Sequence, residues 1–414
     1  MEQKLHTPEG VRDVYNSECK QKLALQEKLL NNLYLFGYQD IQTPTFEYID
    51  VFRKEIGTIS IRELYKVFDR DGNILALRPD ITPSVARAVA TLFENEEMPL
   101  RLCYAGNTFI NHSSYQGHLR ENTQLGAELI GDDSIEADAE MIAMVVEGLK
   151  KTGLKEFQVN IGHVGFLQSM LDATGLEPEI AREIRHLIGN RNYFGVEEIL
   201  ERFEVAAETV ACFRMLPELN GDYEILGKAA ALAPNKRAKL AVARLLKIYA
   251  LLIQYGVEKY VTFDLSTIGS YGYYSGVIFR AYTYGTGDAI VRGGRYDHLL
   301  GKFGKNTPSI GFAIIIDRLM NALSRQKISV KTRQTNLIVY TSETGQWAIS
   351  LARDFRSQGK CIELLKRESE SDKESFINYG KRIHAVSMLY LMNERRMVMI
   401  NPMTGEENIV NTGA

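Results

Sequence analysis

The stretch RLCYAGNTFINHSSYQGHLRENTQLGAELIG, residues 101–131, reads as two strands joined by a polar loop. Its first limb, with Pro99 and Leu100 in front, mixes apolar and small residues up to Ile110, and its second limb runs from Asn122 to Ile130. Apolar-rich runs of strand length on either side of a polar connection predict an antiparallel pair. Upstream, KVFDRDGNILALRPD places Asp71-Gly72 between Val67-Phe68 and Ile74–Leu77, a two-residue hairpin signal. Thr82 before Pro83 predicts an N-cap and a first-turn proline, followed by the apolar stripe Val85, Ala86, Val89, Leu92 and Phe93. Further back, Leu23, Leu25, Leu29, Leu30, Leu33 and Phe36 recur at helical spacing, and Gly37 supplies the stop. Between that helix and the hairpin, YQDIQTPTFEYI alternates around Pro44, as a strand does that breaks or bulges at a sheet edge or interface.

Downstream, Asp133 and Glu136 form a D-x-x-E cap for a helix ending near Gly153. From about 164 to 256 the pattern is almost wholly helical, like an insertion. Strand character returns in KYVTFDL, SGVIFRAYTY and DAIVRG, and PSIGFAIIIDRLMNAL reads as a buried strand running into a helix. A polar, basic linker at 326–335 separates this core, 1–325, from a small C-terminal α/β domain at 336–414, where LIVYTS, CIELLK and MLYLM alternate with helical stretches. The fold class expected is α+β: a mixed, mainly antiparallel sheet flanked by helices, with the helical insertion and the small C-terminal domain attached.

Composition narrows the function classes. With 49 Lys+Arg against 52 Asp+Glu the net charge is -3, so no overall basic field gathers nucleic acid, and none is expected as a partner. The four cysteines, Cys19, Cys103, Cys212 and Cys361, are far apart and fit a reducing, cytoplasmic setting. No run of about 18 apolar residues is present, so no membrane association is expected. Seven histidines are scattered singly, and no P-loop, HExxH, GxSxG or GxGxxG opens a site; neither a metal nor a cofactor is expected.

Four segments carry a resemblance. Leu77-Arg78-Pro79-Asp80-Ile81-Thr82 resembles the L-R-P-E-G-T signature of histidyl-tRNA synthetases, and residues 101–131 resemble, without a gap, the class II synthetase segment that surrounds ATP. DLSTIGSYGYYSGVIFRAY is similar to the histidine-specific stretch of that family, and VRGGRYDHLL with GFAIIIDRL is similar to its G-G-R-Y-D and terminal strand-helix motif. Taken singly, each has a plainer reading as a helix start, a hairpin, core tyrosines or a glycine turn. The resemblance implies the class II synthetase fold.

The departures from that family bear on activity. By the resemblance, Ile110 stands where an arginine holds the ATP α-phosphate, His112 where an acid stands, Asn122 where an aromatic ring stacks on adenine, and Gly269 where the histidine-specific arginine acts. Fixed cationic donors stabilise charge that develops in the transition state, and losing one costs about 10²–10³ in rate. No catalytic residues are therefore expected. The amino-acid pocket is kept: the resemblance assigns histidine binding to Asp80, Thr82, Gln124, Glu128, Tyr273 and Tyr274. Asp80 suits an α-ammonium and Glu128 an imidazole N–H, with Arg292 or Arg295 as candidates for the carboxylate.

Lost ATP contacts beside a retained amino-acid pocket resemble the regulatory subunit of ATP phosphoribosyltransferase. That family implies a non-catalytic partner of the short-form catalytic subunit, forming a self-dimer within a hetero-octamer and taking free histidine as effector in the first step of histidine biosynthesis. An active histidyl-tRNA synthetase and a synthetase-like tRNA-sensing module are the alternatives at this point.

Overall fold

A computed structural model of the chain describes residues 5–53, 59–112, 119–268, 272–368 and 372–411. It divides into two compact units, Met1–Arg12 with Leu25–Ser329, and Asp13–Ala24 with Val330–Ala414. Among the described residues no helix is long and apolar enough to cross a membrane.

The larger unit is built on a nine-stranded sheet in the order Gln39–Asp40, Leu100–Phe109, Glu121–Ile130, Ser309–Ile315, Val291–Arg295, Val277–Thr283, Phe157–His163, Val261–Asp264, Asn220–Gly221. Two neighbouring pairs are parallel, the first with the second and Phe157–His163 with Val261–Asp264; the others are antiparallel. This is the mixed, mainly antiparallel sheet that the sequence leads one to expect. The two limbs of the 101–131 stretch pair from Leu100↔Ile130 to Phe109↔Glu121. Side-chain alternation then sorts the Glu121–Ile130 strand into two faces. Leu125, Ala127 and Leu129 are fully buried on one of them, and each leucine contributes about 1.5–3 kcal/mol by leaving water. Gln124, Gly126 and Glu128 share the other.

The helix Ile135–Thr152 is capped by Ser134, whose hydroxyl accepts from the Ala137 N–H at 3.1 Å, one residue later than the D-x-x-E reading places it. It ends at Gly153, which adopts the left-handed φ of +101° that glycine tolerates best. Between Val164 and Gln254 the chain forms six α-helices, with a 3-10 turn at Leu216–Glu218 and the short strand Asn220–Gly221 among them.

Two further local expectations are corrected. The hairpin between Lys66–Phe68 and Ile74–Leu77 is present, but its loop runs from Asp69 to Asn73, because the Asp69 carboxylate accepts the N–H groups of Asp71 and Asn73 at 3.0 and 2.8 Å and organises a wider turn. Thr82 begins the helix Thr82–Leu92 without capping it: the N-cap is Ile81, with no side-chain cap, and the Thr82 hydroxyl is drawn away to Glu128.

The smaller unit carries a five-stranded sheet in the order Cys361–Lys366, Thr335–Tyr340, Ser387–Asn393, Arg396–Ile400, Glu407–Asn411. Its first three strands are mutually parallel and its last two antiparallel. The helices Gly345–Ser357 and Lys373–Arg382 fill the connections, and two clusters, around Val339, Met388 and Ile400 and around Ile338, Ala352 and Leu391, form its core.

Candidate functional site

A cleft of about 640 Å³ opens on the face of the large sheet that carries Gln124. Its lining includes Asp80, Thr82, Gln124, Tyr273, Tyr274 and Tyr296, together with Ile110, His112, Asn122, Asp288, Arg292, Arg318 and Arg325. Beneath the first group lies an apolar cluster including Ile81, Val85, Val89, Leu102 and Leu299, which excludes water from the carboxyl groups above it.

Those carboxyls are fixed by hydroxyl donors. Tyr273 Oη donates to Asp80 Oδ2 at 2.8 Å. Glu128 receives three hydroxyls: Thr82 Oγ1 at 2.8 Å and Tyr104 Oη at 3.0 Å on Oε1, and Tyr296 Oη at 2.5 Å on Oε2. Burial pushes the Asp80 carboxyl up to about 6, although Tyr273 and the N–H groups of Thr82 and Ile81 pull it down. Burial pushes Glu128 further, to about 8, with Asp80 as a like charge nearby and the hydroxyl donors opposing. Desolvation thus outweighs the hydrogen bonds at both groups.

Of the six residues assigned by resemblance, five line the cleft. Glu128, fully buried, sits behind them, joined to the cleft wall through Thr82 and Tyr296. Gln124 stands out differently: its Oε1 is buried and accepts no hydrogen bond among the described residues. A buried orphan acceptor costs about 1–3 kcal/mol, so a ligand donating an N–H there recovers stability. Tyr273 and Tyr274 pack ring against ring at 5.0 Å, and Tyr273 meets Tyr296 edge-on at 5.8 Å.

Two arginines of the lining are held by one acid. Arg292 Nη2 lies 3.2 Å from Asp288 Oδ1, and Arg318 Nη2 lies 2.7 Å from Asp288 Oδ2 while its Nη1 donates to the Ala289 carbonyl at 2.9 Å. Burial would raise Asp288, but Arg292 and Arg318 overcome it and hold the carboxyl below its ordinary value. Ile110 contributes no donor to this region, and Asn122 turns its Nδ2 to the Leu119 carbonyl at 3.0 Å. Gly269 lies outside the described residues.

Arg295 is not a cleft residue. It is buried and bound to Asp138 through Nε and Nη2, at 2.9 and 2.7 Å, because the side chain at this point of the Val291–Arg295 strand is directed to the helix that carries Asp138. Of the two candidates for a carboxylate contact, only Arg292 lines the cleft. Sequence reasoning missed Tyr104, Tyr296 and Asp288. Tyr296 stands inside the GGRYD motif and was available from it; Tyr104 is marked only by its cross-strand partner, Gly126, where a β-carbon would fall 2.6 Å from its hydroxyl.

The family model described as Histidyl-tRNA synthetase matches residues 10–319. The ATP phosphoribosyltransferase regulatory subunit of Acetivibrio thermocellus is 36% identical over 406 residues, covering 98% of this chain and 97% of its own. The chain belongs to the histidyl-tRNA synthetase-like family of ATP phosphoribosyltransferase regulatory subunits. The regulatory subunit of Caldanaerobacter subterraneus subsp. tengcongensis is 38% identical over 376 residues, 90% of this chain and 98% of its own. Among solved structures, the ATP phosphoribosyltransferase regulatory subunit/histidyl-tRNA synthetase of Bacillus halodurans C superposes with a TM-score of 0.83 at 32% identity, covering 94% of this chain and 98% of that one. The family's class II synthetase fold is the fold of this chain.

Proposed function

We propose that this chain is a regulatory subunit without synthetase activity of its own. It assembles in the cytoplasm with a short-form ATP phosphoribosyltransferase catalytic subunit, supports that subunit's reaction, and takes free histidine as effector in the first step of histidine biosynthesis. One observation carries the reading. A single cleft is lined by an acid, hydroxyls, an unpaired amide oxygen and paired tyrosines, and also by an isoleucine and two arginines that share Asp288. The first group suits an amino acid: Asp80 for the ammonium, Gln124 Oε1 for a further N–H, Tyr273 and Tyr274 for the flat face of an imidazole, and Glu128, acting through Thr82 and Tyr296, to set the hydroxyls. Among the second, Ile110 carries no cation, and Arg292 and Arg318 are both committed to Asp288, unlike the fixed donor that adenylate formation requires. The self-dimer within a hetero-octamer is part of the same proposal, supported by the exposed Phe46, Tyr48 and Phe68 on the small sheet of Phe46–Tyr48, Ile74–Leu77 and Lys66–Phe68.

The test is reconstitution with a short-form catalytic subunit. Phosphoribosyl transfer should rise on adding this chain and fall with histidine, and Asp80→Ala should move half-inhibition upward by about tenfold to a hundredfold, the loss of one charge-assisted contact. No stimulation of any short-form partner, or histidine-dependent ATP–pyrophosphate exchange by the chain alone, would reverse the reading.

A further inference from the structure

Arg295 is buried and turned away from the cleft, yet both of its chain neighbours serve the cleft. Gly294, before it, seats Tyr274: a β-carbon there would fall 2.8 Å from the tyrosine ring. Tyr296, after it, lines the cleft and donates to Glu128. The same stretch is tied to the segment that carries the paired tyrosines. Ser275 N–H donates to the Arg295 carbonyl at 2.8 Å, and Asp297 accepts the Ser275 hydroxyl on Oδ2 at 2.9 Å and Arg295 Nη1 on Oδ1 at 3.2 Å. A β-carbon at Gly276 would fall 3.1 Å from Arg295 Cδ, so the stem of the arginine lies against the backbone just past the tyrosines.

From there the guanidinium leads away from the sheet. Arg295 holds Asp138 on Oδ1, and Asp138 Oδ2 accepts at 2.6 Å from Nε of Arg244, which stands on the helix Lys236–Gln254. Arg244 Nη2 also donates to the Asp133 and Ser134 carbonyls at 2.8 and 3.0 Å. A carboxylate with a guanidinium on each oxygen is fixed in rotation; without Arg244 one oxygen is released, and Arg295 is free to follow the carboxylate as it turns. An anchor for the helical segment alone would account for Asp138. It would not account for Asp297, which joins Arg295 to Ser275 directly behind the tyrosines.

We propose that Arg244 is a positioning residue of the amino-acid cleft, holding Tyr274 and Tyr296 in place through Asp138, Arg295 and Asp297, so that the helical segment sets how tightly the cleft takes its ligand. The inference rests on the reading of that cleft as a histidine site. Linkage makes the effect mutual: histidine in the cleft steadies the helix that carries Arg244.

Calorimetric titration of the full chain with histidine, and amide exchange of residues 236–254 with and without histidine, test this. Arg244→Met should weaken histidine binding by about fivefold or more. Arg214→Met, which breaks exposed pairs with Glu197 and Glu201 elsewhere in the helical segment, should change it by less than about twofold. Histidine should slow exchange across residues 236–254 in the native chain and in Arg214→Met, and should not in Arg244→Met. Circular dichroism melts fix a temperature at which the variants are folded; if Arg244→Met does not fold, exchange in the native chain decides. Unchanged affinity in folded Arg244→Met, an equal loss in Arg214→Met, or exchange that histidine leaves unaltered in the native chain would each overturn the proposal while the histidine site stands. Absence of histidine binding to the native chain would overturn the reading of the cleft and the proposal with it.

Discussion

Gly311 lies directly across from Glu128 in the paired strands, and a β-carbon at Gly311 would fall 1.7 Å from the Glu128 Oε2. The glycine is thus the space in which the buried carboxyl lies. Gly311→Ala should displace the carboxyl from Tyr296 or push the strands apart, since the Ala127 carbonyl is also only 2.7 Å from that β-carbon. Overpacking of this kind costs about 1–3 kcal/mol, with the strained hydrogen bonds adding to it. Urea unfolding should show a lowered midpoint with an unchanged slope.

The raised Glu128 gives stability a pH dependence of defined sign. A carboxyl whose folded value is about 8 against an ordinary 4.5 binds a proton more strongly when folded. Its contribution is fully present below about pH 4.5 and is lost as pH rises through about 8, amounting to a few kcal/mol in order of magnitude. Glu128→Gln should flatten that part of the curve. Thermal melts of both chains between pH 5 and pH 9, on the order of a unit apart, will read the difference; parallel curves would show that Glu128 titrates normally.

Asp80 predicts the pH dependence of histidine binding. Burial raises its carboxyl to about 6, so below that pH a proton competes with the ligand's ammonium for the same oxygens. Affinity should be level above about pH 7 and fall by about tenfold per unit below pH 6, and Asp80→Asn should bind weakly at every pH. Titration calorimetry over this range checks the slope after correction for the imidazole's own ionisation.

Asp138 is a fully buried acid that accepts from Arg295 and, at 2.6 Å, from Arg244 Nε. Arg244 and Arg295 also donate to the Ser134 carbonyl, tying the first turn of the Ile135–Thr152 helix to the helical segment and the sheet at once. Asp138→Ala leaves a buried guanidinium without its main counter-charge and should destabilise the larger unit by about 3–5 kcal/mol. Replacing Asp138 and Arg295 together by apolar residues should cost less than the single change. Chemical denaturation of the three chains would decide it.

The antiparallel pair at the heart of the sheet was legible because residues 101–131 hold two runs of strand length on either side of a polar connection, and burial on one face pins its register. The last strands, Arg396–Ile400 and Glu407–Asn411, were not read: the second lies at the sheet's edge, with only Val410 half-buried, and edge strands lack the apolar signal that periodicity detects. Thr82 was read as a cap because the local sequence favours one; a buried carboxylate distant in sequence competed successfully for its hydroxyl. At the cleft, charged residues in motifs were legible, whereas Asp288 stands in a turn without periodicity and shows its role only once Arg292 and Arg318 converge on it.

The sharing of Asp288 by those two arginines also bears on how such a cleft is undone and rebuilt. Adding an arginine back at Ile110 would supply one cation while the others stayed occupied, and a triphosphate arriving there would first have to evict the aspartate from both of its partners. On the reading proposed above, adenylate chemistry in this cleft would need more than an arginine at Ile110. Asp288 thereby makes one unit of Arg292 and Arg318, so that neither is available without the other.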